Sequence, residues 1–279
     1  KAAEDPSSCK AEILEELYES MSPEDFIGEG SYGMVVKLKI KGCYFALKVM
    51  HTTSKDGKEL DEDTSRDLHK NFQHEAECLE KFKSDNVSFL ILSGFLPKKN
   101  IPFLLMDFYD YDLSHFVLYK DEYREKSKKR WKNFISFYME SILKALTFVH
   151  EQGYFHGDIK PQNILLRYLR EDHSYEIVLA DFGLCKDGRT RELCYTETYR
   201  PPSDFLEEGE FYSKSSDLWA FAKTSLELLL PKDPRKRFDK ASFERAVYFS
   251  RISDFFERRE KLESELSFKP PQAVVNTLF

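Results

Sequence analysis

The stretch YFHGDIKPQNILL, Tyr154–Leu166, decides how the rest of the chain is read. It opens on apolar residues of strand character, turns through His156-Gly157-Asp158, and closes on a second apolar run. Asp158 and Asn163 stand five residues apart in a loop anchored at both ends. Held like that, a carboxylate can accept the proton of an attacking hydroxyl, and an amide oxygen can hold a hard cation. Lys160 adds a fixed positive charge of the kind a migrating phosphoryl group needs. An Asp in a polar turn also serves as a plain capping residue, so the surrounding sequence has to choose.

Composition sets the frame. With 279 residues, 41% hydrophobic and 33% charged, the chain has the balance of a globular protein and room for one large domain or two lobes. The net charge of −7 argues against nucleic acid as a partner. Five cysteines without framework spacing point to reduced thiols and a cytoplasmic or other reducing compartment. No run approaches the roughly 18–20 apolar residues of a membrane span. The chain opens on Lys1, and residues before it are expected. Residues 1–8 read as disordered, and Cys9–Met21 as a short helix with Ile13, Leu14, Leu17, Tyr18 and Met21 on one face.

From Asp25 to Met50, apolar and polar residues alternate around Gly42, the pattern of strands joined by tight turns. Inside it lies Gly28-x-Gly30-x-x-Gly33-x-Val35. A dinucleotide fingerprint needs a helix directly after such glycines, whereas Met34–Ile40 is strand-like. Glycines between two strands let backbone amides approach phosphates closely. Lys48 follows, flanked by Ala46, Leu47 and Val49 in a strand that turns every second side chain inward. His51–Lys70 is polar and reads as a surface loop, and Phe72–Phe82 as a helix. Of the acidic residues there, Glu75 shares a face with Cys78 and Leu79 and is the chosen partner of Lys48; Glu77 is read as an exposed charge. Val87–Phe108 forms two strands around Pro97–Asn100, Lys120–Lys132 a solvated loop or helix end, and Trp131–Gln152 a long core helix. Tyr175–Ala180 is a strand running into Asp181-Phe182-Gly183, and Asp217–Leu230 a helix.

These features resemble the eukaryotic-type Ser/Thr protein kinases. H-x-D-x-K-x-x-N at 156–163 looks like their catalytic loop, Asp181-Phe182-Gly183 like their second metal-binding motif, and Thr196-Glu197-Thr198-Tyr199-Arg200-Pro201-Pro202 like the end of an activation segment. The matches run in the family's order across residues 25–230. The resemblance implies an α+β, bilobal fold: a small antiparallel lobe with one helix over 23–108 after an extension at 1–22, and a mainly helical lobe over 109–279 that is reduced after 230. It also implies ATP and Mg²⁺, with Mn²⁺ as a replacement, and a protein substrate carrying Ser or Thr. By the same resemblance Gly28, Glu29, Gly30 and Gly33 cover the phosphates, Lys48 fixed by Glu75 holds them, and Asn163 and Asp181 hold the metal. Val35, Ala46 and Leu165 would sandwich adenine, with Met106 behind it, backbone groups of Asp107 and Tyr109 at its edge, and Asp112 toward the ribose. Asp158 would be the proton acceptor, Lys160 would stabilise the γ-phosphate, and Thr196 would support both. Asp217 would tie down the backbone of the catalytic loop.

Three departures qualify this. Gly157 stands where many kinases carry the Arg that pairs with activation-segment phosphate, so such phosphorylation is expected to be unnecessary. Ser203 replaces the usual Glu after the Pro pair, with Asp204 nearby. Pro231–Phe238 contains D-P-R-K-R, a run the family places further on, and Ala241–Leu266 reads as a helical ending. Two alternatives follow. His156-Gly157-Asp158 with Asn163 also resembles aminoglycoside and choline kinases, against which stand the glycine turn, Lys160 and the Thr196 segment. The reduced large lobe and Ser203 suit a pseudokinase scaffold, against which stands the complete set of phosphate-, metal- and proton-handling residues. The sequence assigns neither a physiological substrate nor an oligomeric state.

Overall fold

A computed structural model of the chain describes residues 22, 25–29, 33–52, 60–98, 100–171, 173–192, 194–201 and 212–229. The expected Cys9–Met21 helix, Gly30, Ser203, Asp204, Pro231–Phe238 and Ala241–Leu266 lie outside the described residues. The chain divides into two compact units, one ending at Tyr109 and the other beginning at Asp110.

The first unit is built on strands β1 (Phe26–Glu29), β2 (Gly33–Ile40), β3 (Cys43–Met50), β4 (Leu90–Leu96) and β5 (Ile101–Asp107). They form one antiparallel sheet in the order β1-β2-β3-β5-β4. The β2–β3 hairpin closes through Lys41 (φ 51°) and Gly42 (φ 88°). Positive φ at both central residues matches the right-handed twist of the flanking strands, and Gly reaches it without strain. Strand register then sorts the side chains. Val35 lies opposite Lys48, Lys48 opposite Leu104, and Ala46 opposite Met106, so these residues share one face of the sheet. Leu47, Val49 and Phe103 alternate onto the other face and are at most 1% exposed.

Helix α1 runs from Glu62 to Lys81 and buries Phe72, Glu75, Cys78 and Leu79. The loop expected over His51–Lys70 therefore ends nine residues sooner, at the helix N-cap Asp61, whose side chain accepts the Thr64 amide at 2.8 Å. Much of the first two turns faces solvent, and an exposed surface leaves no apolar period to read.

The second unit carries helices α2 (Leu113–Lys126), α3 (Lys128–Glu151) and α4 (Lys214–Leu229). Short strands β6 (Tyr111–Asp112), β8 (Ile164–Leu169) and β9 (Ser174–Leu179) form a three-stranded sheet, and β7 (Tyr154–Phe155) pairs with β10 (Lys186–Asp187). The solvated reading of Lys120–Lys132 as a loop or helix end fails at Lys120 and Trp131, which are buried. Two helices meet there at Ser127, which caps both, and Lys120 is only 3% exposed. Its amine donates to the Glu227 carbonyl near the end of α4. A flexible stem ending in three donors suits a carbonyl at a helix C-terminus.

Helix α3 is the spine of this unit. Trp131, Ile135, Tyr138, Ile142, Leu146 and Val149 recur at helical spacing and are buried. The helix ends at Gln152 and Gly153 (φ 88°), and the chain passes directly into β7 and the loop over residues 156–163. Tyr138 and Ser225 of α4 share a hydrogen bond of 3.2 Å inside the core, where burial pushes the phenol well above its usual range. Ile142 is fully buried. Ile142→Ala is expected to cost about 2–5 kcal/mol, read as a lower urea midpoint by circular dichroism; an unchanged midpoint would remove α3 from the core.

Candidate active site

The loop after β7 is held from below by one carboxylate. Asp217, in the first turn of α4, is completely buried. Its Oδ2 accepts the His156 amide at 2.7 Å and His150 Nε2 at 2.8 Å. Its Oδ1 accepts the Gly157 amide at 3.0 Å and the Tyr195 hydroxyl at 2.9 Å. Burial raises the carboxyl pKa, but the bond and charge of His150, with the contribution of His156, outweigh it and hold it below the usual value. The expected tie between Asp217 and the loop backbone is thus present. His150 and Tyr195 were not legible as its other two donors, because neither lies in a motif.

His156 is spent on the same frame. Its Nδ1 accepts the Asp158 amide at 3.2 Å, and its Nε2 donates to the Ala180 carbonyl at 3.0 Å, directly before Asp181. The Gly157 backbone lies at φ 81°, and a Cβ there would stand 2.5 Å from the Leu184 carbonyl oxygen. A side chain here would be strained by the backbone and would press on the Leu184 carbonyl, so the local backbone as it stands favours Gly.

Asp158 sits on this floor with both carboxylate oxygens held by hydrogen bonds. Oδ1 accepts the Thr196 amide and the Thr196 hydroxyl, each at 2.9 Å. Oδ2 accepts Lys160 Nζ at 2.6 Å and Asn163 Nδ2 at 3.1 Å. Lys160 also reaches Thr196 Oγ1 at 3.1 Å. Four sequence-predicted residues, Asp158, Lys160, Asn163 and Thr196, are therefore brought into one hydrogen-bonded cluster.

Asn163 closes the turn Pro161–Asn163 and gives its amide nitrogen to Asp158, to Oδ2 and to the backbone carbonyl at 2.8 Å. With the nitrogen so committed, the amide oxygen points elsewhere, which fits a residue that ligates a hard cation. The Asn163 carbonyl accepts the Ala180 amide at 2.9 Å, so the β8–β9 ladder carries Asn163 and Asp181 together. Asp181 adopts φ 63°, and the buried Phe182 ring packs edge-on against His156 at 4.7 Å. Among the described residues no group of three or more His, Cys, Asp or Glu forms a metal cage. Two oxygen donors suit Mg²⁺ that completes its shell with phosphate and water. In the adjoining sheet, Asp112 pairs in register with Leu165. The Asp112 Oδ1 also caps α2, accepting the Ser114 amide at 2.8 Å and the Ser114 hydroxyl.

In the first unit, Lys48 Nζ lies 2.8 and 2.7 Å from the two oxygens of Glu75, both side chains being nearly inaccessible. Glu77 is exposed and accepts Gln73 Nε2 at 2.9 Å. Val35, Ala46 and Met106 share the Lys48 face, as described. A Cβ at Gly33 would stand 2.3 Å from the Val49 carbonyl oxygen, whereas one at Gly28 would meet nothing within 4 Å. Gly33 thus serves packing, and Gly28 leaves its backbone open to approach; Glu29 ends β1 between Gly28 and the undescribed Gly30. The Asp107 amide donates to the Phe89 carbonyl at 3.2 Å, so any contact of this residue with a base runs through its carbonyl. Tyr109, two residues on, is buried.

The Protein kinase domain profile matches residues 21–274. The chain belongs to the eukaryotic-type protein kinase family. This kinase domain is 28% identical over 239 residues to the phosphorylase b kinase gamma catalytic chain, liver/testis isoform, of Bos taurus, covering 78% of the chain and 53% of the relative. It is 27% identical over 238 residues to the RAC family serine/threonine-protein kinase homolog of Dictyostelium discoideum, covering 82% and 48%. It is 30% identical over 227 residues to an Aurora kinase of Yarrowia lipolytica, covering 78% and 55%. The chain spans about half the length of these curated relatives. The expected fold is borne out: a small antiparallel sheet with one helix, then a mainly helical unit.

Because the folded Asp217 carboxyl titrates lower than the unfolded one, its contribution to stability is complete above the ordinary value near 3.8 and is lost as pH falls through the folded value. Asp217→Asn should cost on the order of 2–3 kcal/mol at neutral pH and flatten the acid side of the profile. Urea midpoints from pH 7 to 3 check this; parallel profiles for the two proteins would contradict it. Gly157→Ala should also destabilise, by at least about 1–2 kcal/mol from the left-handed backbone alone, and a melting temperature equal to wild type would refute the close approach to Leu184.

Proposed function

We propose that this kinase domain transfers the γ-phosphate of ATP to Ser or Thr hydroxyls of protein substrates. The single observation that supports it best is the arrangement around Asp158, whose two oxygens are oriented by Thr196, Lys160 and Asn163. A carboxylate held in one rotamer by four donors is positioned to accept a hydroxyl proton at a defined point. In this reading the acceptor oxygen forms a bond to the γ-phosphorus as the bond to the β-phosphate oxygen breaks. The hydroxyl proton passes to Asp158, and ADP leaves.

Lys48, locked by both oxygens of Glu75, binds the α- and β-phosphates. The Gly28–Gly33 turn, with Glu29 and Gly30, covers the phosphates and excludes water. Lys160 offsets charge on the transferred group and marks the acceptor class as Ser or Thr. Val35, Ala46, Met106 and Leu165 enclose adenine, Asp107 and Tyr109 meet its edge, and Asp112 approaches the ribose. Asn163 and Asp181 would hold Mg²⁺, or Mn²⁺, which neutralises phosphate charge when bound. Five cysteines without framework spacing suit a reducing, cytoplasmic setting; burial pushes the Cys194 thiol up to about 11.

Asp158→Asn should lower transfer by roughly 10²–10⁴-fold while nucleotide affinity stays within about twofold. Radiolabel transfer to a generic protein acceptor, beside a fluorescent-nucleotide titration, measures both. Undiminished transfer would remove Asp158 from the mechanism, and label entering choline or an aminoglycoside in place of protein would replace the substrate class.

A further inference from the structure

The residue before Thr196 is the most constrained in the 194–201 segment. Tyr195 sits at φ 67°, a left-handed conformation that a bulky residue adopts only when its surroundings over-determine it. Its surroundings do so through every polar group it owns. The amide donates to the Gly157 carbonyl at 2.7 Å, the carbonyl accepts Arg200 Nη2 at 3.1 Å, and the hydroxyl donates to Asp217 Oδ1 at 2.9 Å. The ring is 3% exposed and packs 5.6 Å from the ring of Tyr212.

The consequence falls on the next residue. Because residue 195 turns left-handed, its side chain descends to Asp217 while the following amide is presented to Asp158 Oδ1, together with the Thr196 hydroxyl. The segment is braced further on: Arg200 Nε donates to the Cys194 carbonyl at 3.2 Å, and the Tyr199 and Arg200 amides donate to the Thr196 carbonyl. These bonds run between backbone groups, the Tyr195 and Thr196 hydroxyls, the Asp158 and Asp217 carboxylates and the Arg200 guanidinium, with Gly157 contributing its carbonyl.

We propose that Tyr195 is a positioning residue for phosphoryl transfer: by bridging Asp217 and Gly157 it holds the segment before Arg200 on the catalytic loop and aims Thr196 at Asp158 without any phosphate. Tyr195 acts through Thr196 and touches no reacting atom. Burial first, then the neighbouring Asp217 charge, push its phenol well above the ordinary value, so it stays a donor across the working pH range. The kinetic part of this inference rests on the kinase reading; the structural part does not.

The test uses the full chain, treated with phosphatase, as wild type, Tyr195→Phe and Tyr195→Gly. Phe keeps the ring and removes the donor. Gly accepts the left-handed backbone without strain and removes the ring and the hydroxyl, leaving the backbone bonds to Gly157 and Arg200. Hydrogen exchange of the 194–200 peptide is followed beside kcat, KM for ATP and melting temperature. Wild type is expected to stay protected and active after phosphatase. Both variants should exchange about tenfold faster there and lose about tenfold in kcat, the scale set by one hydrogen bond to a charged group, with KM for ATP unchanged. A general structural defect would instead raise KM for ATP together with the loss in kcat, and that result overturns the proposal. So does wild-type exchange and kcat in Tyr195→Phe, or in Tyr195→Gly if the Phe variant does not fold. Loss of wild-type protection on phosphatase treatment overturns it as well. If wild type transfers no phosphate at all, the kinase reading fails, while the exchange data still decide whether Tyr195 holds the segment.

Discussion

A carboxylate with no access to water has to be surrounded by donors, and Asp217 is surrounded by four. An ionised group buried without partners is expensive enough that a protein neutralises it or rearranges. Here the remedy is also the architecture: the end of α3, two consecutive backbone amides of the catalytic loop and a tyrosine from the 194–201 segment all converge on one side chain. Distant pieces of chain are joined because a single charge has to be satisfied. Asp158, one layer above, is held by a different set of donors. They are mostly side chains that fix its orientation, and it remains slightly accessible where Asp217 is not.

The Lys48–Glu75 pair follows a related logic in the first unit. A buried ion pair seldom adds net stability, since desolvation consumes much of the attraction, but removing one partner strands the other. Its value lies in fixing where an ammonium stands. Two short contacts to Glu75 and the Phe72 ring 5.8 Å away hold it on the face that register assigns to Val35, Ala46 and Met106.

Much of this was legible from residue order. Alternation disclosed the strands of Asp25–Met50, helical spacing disclosed α3, and the face shared with Cys78 and Leu79 chose Glu75 over Glu77. What escaped detection has common physical causes. The exposed turns of α1 before Phe72 carry no apolar period, so only the Asp61 cap marks the true start. Lys120 looks solvated in a charged run because sequence does not reveal a carbonyl 107 residues away that accepts its amine. His150 and Tyr195 gain their meaning from Asp217, a contact set by the fold and not by local spacing. Gly157 was noticed as a missing Arg, but the reason the site favours Gly, a left-handed backbone against Leu184, exists only in three dimensions.

The account stands or falls on whether the fixed ammonium and the oriented carboxylate belong to one reaction. Incubating the purified chain with γ-labelled ATP, Mg²⁺ and a protein acceptor, beside Lys48→Met, tests this most directly. Met keeps the side-chain volume and removes the charge. Label on Ser and Thr of the acceptor with wild type, reduced at least a hundredfold in Lys48→Met, is the expected result. Equal label from both proteins, or none from a wild type that binds nucleotide, would contradict it.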